Sequence, residues 1–541
     1  MSKKTEYFLN KKIKFVFIFL LLLLSFRTDY RYINEINCCG DDHSYFVHTE
    51  TIAEDFDFDY SNQIEFIDGK VYKYQEKIAP LGFVGAGILA SPFMFIGNIL
   101  DNIFSNLGFI DQDNMNYKIL LYSFSPIFYF AFSYYLFVKI IKTLDININL
   151  NWILLIFFGT GIHYYAFERY SMTHIYEFFT VTLIIYFLTN FYKKSIKSEN
   201  VIAGVIPYLF LINYLVRYVN YFVFLLPFWI NKVNKNKMGK RKLIKNKFFI
   251  INSIFASLIF MYLSNLIYGR VSFRPLLAYN KQTFPLISET FTSVDIFGSE
   301  NVFIYYLKNL VQIFITQEFG IILFIPIIFI TLLFLTKELL LDFKKNYFKN
   351  FFVFASIGSL IFLVLIWRTV ASAFGMRYLY SLIPLCLYLF INYFYKITKT
   401  ERIYLITFSI FSLLSVLFFE TNVSTSLSEV DQINSFGKLT RYAQPLYFSG
   451  VLKSLFSFDS YQIIFATSLF GGTILKILFV VFSKDQVLYT LEGVGLNISN
   501  GDVINLFNKI NNIEFHKYMI AVILIYIVAK IFSYEFKTNK L

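Results

Sequence analysis

The sequence predicts an all-α integral membrane protein, a polytopic bundle of roughly 11–13 transmembrane helices with exterior loops and interfacial helices. Of its 541 residues, 57% are hydrophobic and only 16% are charged, and the mean hydropathy is +0.56. Apolar runs of membrane-spanning length recur along the chain, and short basic loops separate them. A soluble domain of this length could not bury so much apolar surface, so we exclude that class.

The formal net charge of +13 follows from membrane topology. Lys and Arg lie in short loops beside apolar runs, which is the pattern of cytoplasmic loops in membrane proteins. The loop 232–247 carries eight Lys or Arg and is the firmest cytoplasmic marker in the chain. We therefore expect membrane lipids, and no nucleic acid, among the partners.

The N-terminus predicts an uncleaved first span that begins in the cytoplasm. A Lys-rich start precedes an apolar run at 15–24, and no small-residue cleavage site follows it. The acidic stretch 29–80 is then the first exterior loop. The apolar, glycine-rich segment 80–100 is expected to lie along the membrane interface.

The remaining spans follow from hydropathy and from alternating basic ends. A second exterior loop covers 268–318, with an amphipathic helix at 302–316. The tail contains two further apolar runs, whose orientation the flanking charges leave open. The predicted spans lie near 117–138, 150–167, 175–192, 201–217, 219–231, 248–267, 319–336, 351–367, 379–395, 403–419, 462–482 and 518–533.

With this topology, the unusual polar residues gather at exterior span ends or loops. A transporter would place ionisable groups near the middle of the membrane instead. Charges around an exterior cavity suit an enzyme that acts on a lipid headgroup. These residues are Asp41, Asp42, Lys77, Glu168, Arg169, His174, Arg217 and Arg377.

Several short fragments stand out in order along the chain. They are GDDHSY at 40–45 with Asp57, Asp59 and Asn62 downstream, KIAPLG at 77–82 with ASPF at 90–93, RYVN at 217–220, residues 320–326, and FGMRYL at 374–379. In this order they resemble fragments of bacterial polytopic glycosyltransferases of superfamily C (GT-C), which include the protein mannosyltransferase and aminoarabinose transferase types. The resemblance covers roughly residues 10 to 395 and rests on the order of the fragments together with topology.

The resemblance implies a GT-C-like catalytic domain over 1–420 and leaves 421–541, a loop and the last two spans, without an assigned function. It implies an inverting sugar transferase that uses a polyprenyl-phosphate sugar. The acceptor would be an envelope glycan, lipid or protein on the non-cytoplasmic face of the cell membrane. The chain also lacks a P-loop or a strand–glycine-rich–helix unit for a nucleotide, and its glycines at 82, 85 and 87 are expected to allow close helix packing.

The family's first-loop acid corresponds to Asp41, which the resemblance makes the general base, with Asp42 as its neighbour. The lipid phosphate that leaves needs cations at the membrane surface. Lys77, Arg217 and Arg377 fall in or beside the family-like fragments, and position alone adds Arg169. Glu168 and His174 are secondary candidates for binding phosphate or acceptor.

Each of these residues also has a structural interpretation. An aspartate pair in a solvated turn is commonly inert, arginines at span ends commonly reach for phospholipid headgroups, and a lone His near an interface is commonly a polar anchor.

No cofactor is predicted. The alternate acids Asp55, Asp57 and Asp59 suit a divalent cation, but the spacing recurs by chance and we assign no metal. Cys38, Cys39 and Cys386 indicate neither a disulfide nor a zinc site.

Two other function classes remain open. One is a polysaccharide polymerase or ligase, and the other is a transporter or flippase of lipid-linked sugars. Charged residues at span centres would favour the transporter. The sequence leaves the sugar, the acceptor and the oligomeric state undetermined.

Overall fold

The computed structural model describes twelve stretches of the chain. The first predicted span, Cys38, Cys39, Glu168, Arg169, the run 462–482 and most of 518–533 lie outside them. Asp41 and Asp42 lie within a helix, but their side chains are outside the description. The described residues are 40–64, 72–80, 82–106, 117–167, 170–192, 199–233, 243–273, 302–315, 320–341, 343–367, 375–417 and 525–531.

The described part of the chain is helical throughout, apart from one short hairpin, and the all-α membrane class is confirmed. Six helical segments there are long and apolar enough to cross a membrane, and two shorter apolar helices, Tyr221–Val233 and Asn350–Leu365, accompany them. The six are Gly85–Ile103, Tyr117–Leu144, His174–Tyr192, Glu199–Val216, Lys247–Tyr268 and Arg377–Lys396.

The helices are labelled in chain order. They are α1 (Gly40–Glu50), α2 (Gly85–Asn106), α3 (Tyr117–Leu144), α4 (Asn151–Phe158), α5 (Ile162–Phe167), α6 (His174–Tyr192), α7 (Glu199–Val216), α8 (Leu226–Val233), α9 (Lys247–Tyr268), α10 (Val302–Ile315), α11 (Ile321–Phe324), α12 (Pro326–Leu341), α13 (Phe343–Trp367), α14 (Ile383–Tyr393) and α15 (Lys399–Leu417).

One predicted segment differs from its structure. The stretch 80–100 is expected along the interface, but its residues 85–100 belong to α2, a 22-residue helix that is long and apolar enough to cross a membrane. Its exposed apolar side chains, Phe95, Ile96 and Ile99, are those of a lipid-facing surface, and the opposite face packs on α3. The glycines and Pro92 lowered the apparent helix propensity of this segment without preventing the helix.

Four predicted spans are not single α-helices, and one of them, 219–231, begins as a 3₁₀ helix, Tyr221–Leu225, before α8. The span at 150–167 is divided into α4 and α5 by a break at 159–161, and the span at 319–336 into α11 and α12 at Ile325. Pro326 opens α12, where a missing N–H costs nothing. The span at 379–395 begins as a 3₁₀ helix, Arg377–Leu382, before α14.

A small unit formed by α1 and a hairpin lies beside α2, α7 and α9. A π-helical turn, Thr51–Asp55, extends α1, and strands β1 (Tyr72–Tyr74) and β2 (Lys77–Ala79) pair antiparallel. Its own apolar cluster includes Val47, Tyr60 and Phe83 and joins Leu215 of α7 to Tyr268 of α9. The unit therefore packs directly against helix ends.

Aromatic side chains fill the main core. Phe130 contacts Phe157 and Phe158, and Trp229 lies against Phe352 and Tyr388. Because lipid is as apolar as these side chains, it is close packing that holds such helices together.

Charged residues within the six candidate spans lie near the span ends. The deepest is Lys139, five residues before Leu144, and Glu177 lies three residues after His174. In the six candidate spans, Asp, Glu, Lys and Arg are therefore kept away from the middle of the helix.

Candidate functional site

Three helix ends meet at one end of the bundle, which we call the site end. They are the start of α6 at His174, the residue that follows α7, Arg217, and the start of the 3₁₀ helix at Arg377. His174 and Arg377 are buried, with 2% and 4% of their surface exposed. Three of the predicted site residues are thus brought together.

Glu177 lies at the centre of this cluster and is 1% exposed. Its Oε1 accepts hydrogen bonds from Nη1 of Arg217 at 2.8 Å and from Oγ1 of Thr173 at 2.9 Å. Nδ1 of His174 is 3.1 Å from the same oxygen, and Nδ2 of Asn220 donates to Oε2 at 3.2 Å. A buried carboxylate with this many donors is held in one orientation.

Tyr378 joins the two arginines. The guanidinium carbon of Arg217 lies 4.6 Å from the centre of its ring, and that of Arg377 lies 4.9 Å from it. Nη2 of Arg377 donates to the Tyr378 hydroxyl at 3.0 Å. Cation–π attraction to one ring therefore brings two positive charges to the same place despite their repulsion.

The Arg217 side chain is 12% exposed, and the hydrogen bonds described for it all involve Nη1, to Glu177 and to Nδ1 of His174 at 3.2 Å. Burial by itself would lower the pKa of Arg217, and the Glu177 carboxylate more than offsets this and raises it. Among the described residues, no hydrogen bond is made by Nη2 or Nε of this guanidinium.

Helix α1 reaches the cluster through Tyr45, whose hydroxyl interacts electrostatically with Arg217. Asp41 and Asp42 lie in the first turn of this helix. The backbone of α1 at positions 41 and 42 therefore lies about one helical turn from Tyr45.

Two glycines allow the backbone to form the site. A Cβ on Gly85 would lie 2.3 Å from the backbone nitrogen of Val216, next to Arg217. Gly375 has a φ of 62°, which favours glycine, and it lies two residues before Arg377. The close packing predicted for residues 82, 85 and 87 is confirmed, since a Cβ on any of them would clash.

The other predicted cation lies elsewhere. Lys77 is an exposed residue of β2, near Gly269 at the end of α9, where Arg270 stacks on Tyr74 at 4.8 Å. No described contact joins Lys77 to Arg217 or Arg377. Of the four cations predicted to bind the donor phosphate, the structure brings Arg217 and Arg377 together, and Arg169 lies outside the described residues.

The acidic stretch at 55–59 stabilises its own loop. Asp57 accepts from the backbone nitrogen of Asp59, and Asp59 from that of Ser61, while Asp55 accepts from Asn62 and Gln63. The Ser61 hydrogen bonds are the main reason that the pKa of Asp59 is lowered. Among the described residues, no group of three or more His, Cys, Asp or Glu could hold a metal ion.

Glu177 is the residue that sequence reasoning missed. It lies one turn into an apolar helix, three residues after His174, and an ionisable residue inside a span is itself a sign of function. Tyr378 and Asn220 lie within the family-like fragments, but residue type alone did not mark them as partners of the arginines.

Comparisons of the chain with protein families, with curated proteins and with solved structures found no match. The geometry of the site residues is therefore the basis for any functional interpretation.

Proposed function

We propose that the protein is a membrane glycosyltransferase that moves a sugar from a polyprenyl-phosphate donor to an envelope glycan, lipid or protein, with inversion at the anomeric carbon. The reaction takes place at the site end, on the non-cytoplasmic face of the cell membrane. The single observation that carries the proposal is the convergence of Arg217 and Arg377 on Tyr378, at helix ends of a multi-pass membrane protein.

The chemistry needs cations at the leaving group. In the transfer, the bond between the anomeric carbon and the phosphate oxygen breaks, and the lipid phosphate gains a negative charge. Two guanidinium groups in a partly buried site stabilise that charge more strongly than they would in water. Their place at helix ends suits a donor whose phosphate lies at the membrane surface and whose chain lies in lipid.

The base belongs to α1. As the acceptor oxygen attacks the sugar, its proton passes to a carboxylate, for which we propose Asp41, with Asp42 beside it. The support is the resemblance of 40–45 to the first exterior loop of GT-C enzymes, together with the electrostatic interaction of Tyr45 in α1 with Arg217.

A transporter of lipid-linked sugars is the less favoured alternative. Its coupling would need ionisable groups near the middle of the membrane. In the six candidate spans, the charged residues lie within five residues of an end.

The test is transfer by the purified protein with polyprenyl-phosphate sugars as donors and a panel of envelope acceptors. Asp41→Asn should reduce turnover by about 100-fold or more, because a positioned base contributes roughly 10²–10⁴. Arg217→Gln and Arg377→Gln should each reduce it by about 10-fold or more, since each removes a charge from the leaving group.

Membrane insertion and thermal stability are measured for every variant. Lys337→Gln is the matched control, because Lys337 pairs with Glu401 at 2.5 Å, at the opposite end of the bundle from the arginines. It should keep full turnover. An inserted Asp41→Asn protein with normal turnover would exclude Asp41 as the base, and normal turnover in both arginine variants would reject the proposal.

A further inference from the structure

Glu177 is a buried carboxylate to which the proposed reaction gives no role. Its position is costly, because a charge taken out of water is stabilised only when good partners surround it. The partners are Arg217, Thr173, His174 and Asn220. Two of these, His174 and Arg217, are candidate ligands of the donor phosphate.

The contacts of the Arg217 side chain indicate a role for Glu177. The guanidinium carbon lies 4.6 Å from the centre of the Tyr378 ring, and Nη1 donates to Oε1 of Glu177 at 2.8 Å. The Tyr378 ring and the hydrogen bond from Nη1 together limit the rotation of this planar group. The edge formed by Nη2 and Nε is therefore held in one direction. That edge has the spacing of two phosphate oxygens.

We infer that Glu177 is a positioning residue for the lipid phosphate: it fixes Arg217 through Nη1 and thereby directs the Nη2–Nε edge to the phosphate oxygens. The inference rests on the proposed function, and it adds a residue that acts through another. Glu177 itself does not touch the phosphate in this arrangement.

A different role for Glu177 predicts the opposite sign. If the carboxylate only neutralised Arg217, its removal would leave a stronger positive charge, and anions would bind more tightly. If it orients Arg217, its removal lets the guanidinium swing over the Tyr378 ring, and phosphate binding weakens. Binding of a simple lipid phosphate separates these roles.

The probe is a short-chain polyprenyl monophosphate, which carries no sugar. Its dissociation constant is measured for the full-length protein in detergent, together with the thermal unfolding midpoint. Glu177→Ala and Arg217→Gln should each weaken binding by about tenfold, the scale of one charge-assisted bidentate contact. The double variant should bind no more weakly than Arg217→Gln alone, because Glu177 acts only through Arg217.

Glu338→Ala is the matched control. Glu338 is also a buried carboxylate in a 2.8 Å ion pair, with Lys396 at the opposite end of the bundle. It should lose thermal stability without losing phosphate affinity. Glu177→Gln, which keeps an oxygen acceptor for Nη1, should bind the probe more tightly than Glu177→Ala does, and it serves as the second variant should the alanine protein not fold.

The outcomes are distinguishable. Unchanged or tighter binding in Glu177→Ala, losses that multiply in the double variant, or a Gln variant that binds as weakly as the alanine variant would each overturn the positioning role. An unmodified protein that does not bind the probe would contradict the proposed function itself.

Discussion

At the scale of single residues, the site depends on how Arg217 is held. Glu177 accepts a hydrogen bond from one nitrogen, the ring centre of Tyr378 lies 4.6 Å from the guanidinium carbon, and α7 ends immediately before Arg217. Each contact removes some of the rotamer freedom that a long side chain would otherwise lose on binding a ligand. An arginine fixed in advance binds phosphate at lower entropic cost than an exposed one.

Tyr378 gives a prediction at this scale. Tyr378→Leu removes the ring under both guanidinium groups, and cation–π contacts contribute about 0.5–2 kcal/mol each. We expect Tyr378→Leu to reduce sugar-transfer turnover by about tenfold, while Tyr378→Phe, which keeps the ring and loses only the hydroxyl, stays within about threefold of the unmodified protein. Transfer assays at saturating donor measure both.

The control for this prediction is Tyr393→Leu, because Lys396 lies over the Tyr393 ring at 5.2 Å, away from the site end. It should leave turnover unchanged. Equal turnover in Tyr378→Leu and the unmodified protein would remove Tyr378 from the site.

The two arginines of the site could be predicted from the sequence, but their partners Glu177 and Tyr378 could not. Arg217 and Arg377 follow from residue type and from span ends, because charge is rare in such a chain and marks a boundary. Glu177 is one turn inside an apolar helix, so a hydropathy profile does not mark it. Two of its partners, Arg217 and Asn220, follow α7 and are distant in sequence. Lys77 had the right residue type, but its hairpin packs near α9.

At the scale of elements, α1 is tied to the segment before α2 by a buried histidine. Nε2 of His48 donates to the Gly82 carbonyl at 2.8 Å, and the Tyr268 hydroxyl donates to the same oxygen at 2.8 Å. Nδ1 of His48 then accepts from the Tyr60 hydroxyl at 2.7 Å. Burial lowers the pKa of His48 to about 4, so the imidazole is neutral at neutral pH, with its proton on Nε2 and the lone pair on Nδ1.

His48 therefore predicts acid sensitivity of α1. Burial lowers the pKa of His48 from 6.5 to about 4, so between these values the unfolded chain binds a proton that the folded unit does not. Local stability should be complete above pH 6.5 and should fall by up to about 3 kcal/mol as the pH drops to 4. Hydrogen-exchange protection of α1 amides, corrected for intrinsic rates, measures this loss.

His48→Gln provides the comparison, because its amide can still donate to Gly82 but does not titrate in this range. We expect a lower protection of α1 at neutral pH and a much flatter dependence on pH. An acid-induced loss of equal size in both proteins would assign the sensitivity to other groups.

The breaks in the predicted spans show a second limit of sequence reasoning. At 159–161 and at Ile325 the chain is apolar on both sides, so a hydropathy profile continues through the break. The interruption is a property of the backbone, and only the glycines and Pro326 signal it. Membrane helices tolerate such breaks where neighbouring helices satisfy the freed backbone groups.

At the scale of the whole molecule, the bundle has two chemically different ends. The site end holds the buried arginine cluster, and the opposite end holds the ion pairs of Lys337 with Glu401 and of Lys396 with Glu338. The basic loop 232–247 follows α8, whose chain direction leads away from the site end. This asymmetry is the reason for the proposed orientation.

Orientation can be tested with single cysteines placed in a background where Cys38, Cys39 and Cys386 are replaced. Glu76→Cys is exposed on the hairpin, and Thr400→Cys is exposed at the start of α15. In intact cells a membrane-impermeant maleimide should label position 76 and not position 400, and both should react after permeabilisation. The reverse pattern would place the arginine cluster in the cytoplasm.

The contact at Gly85 has a mechanical consequence. There the start of α2 meets the last residues of α7 backbone against backbone, without a side chain between them to absorb displacement. Any displacement of the start of α2 is therefore transmitted directly to the backbone beside Arg217, because no flexible side chain lies between them.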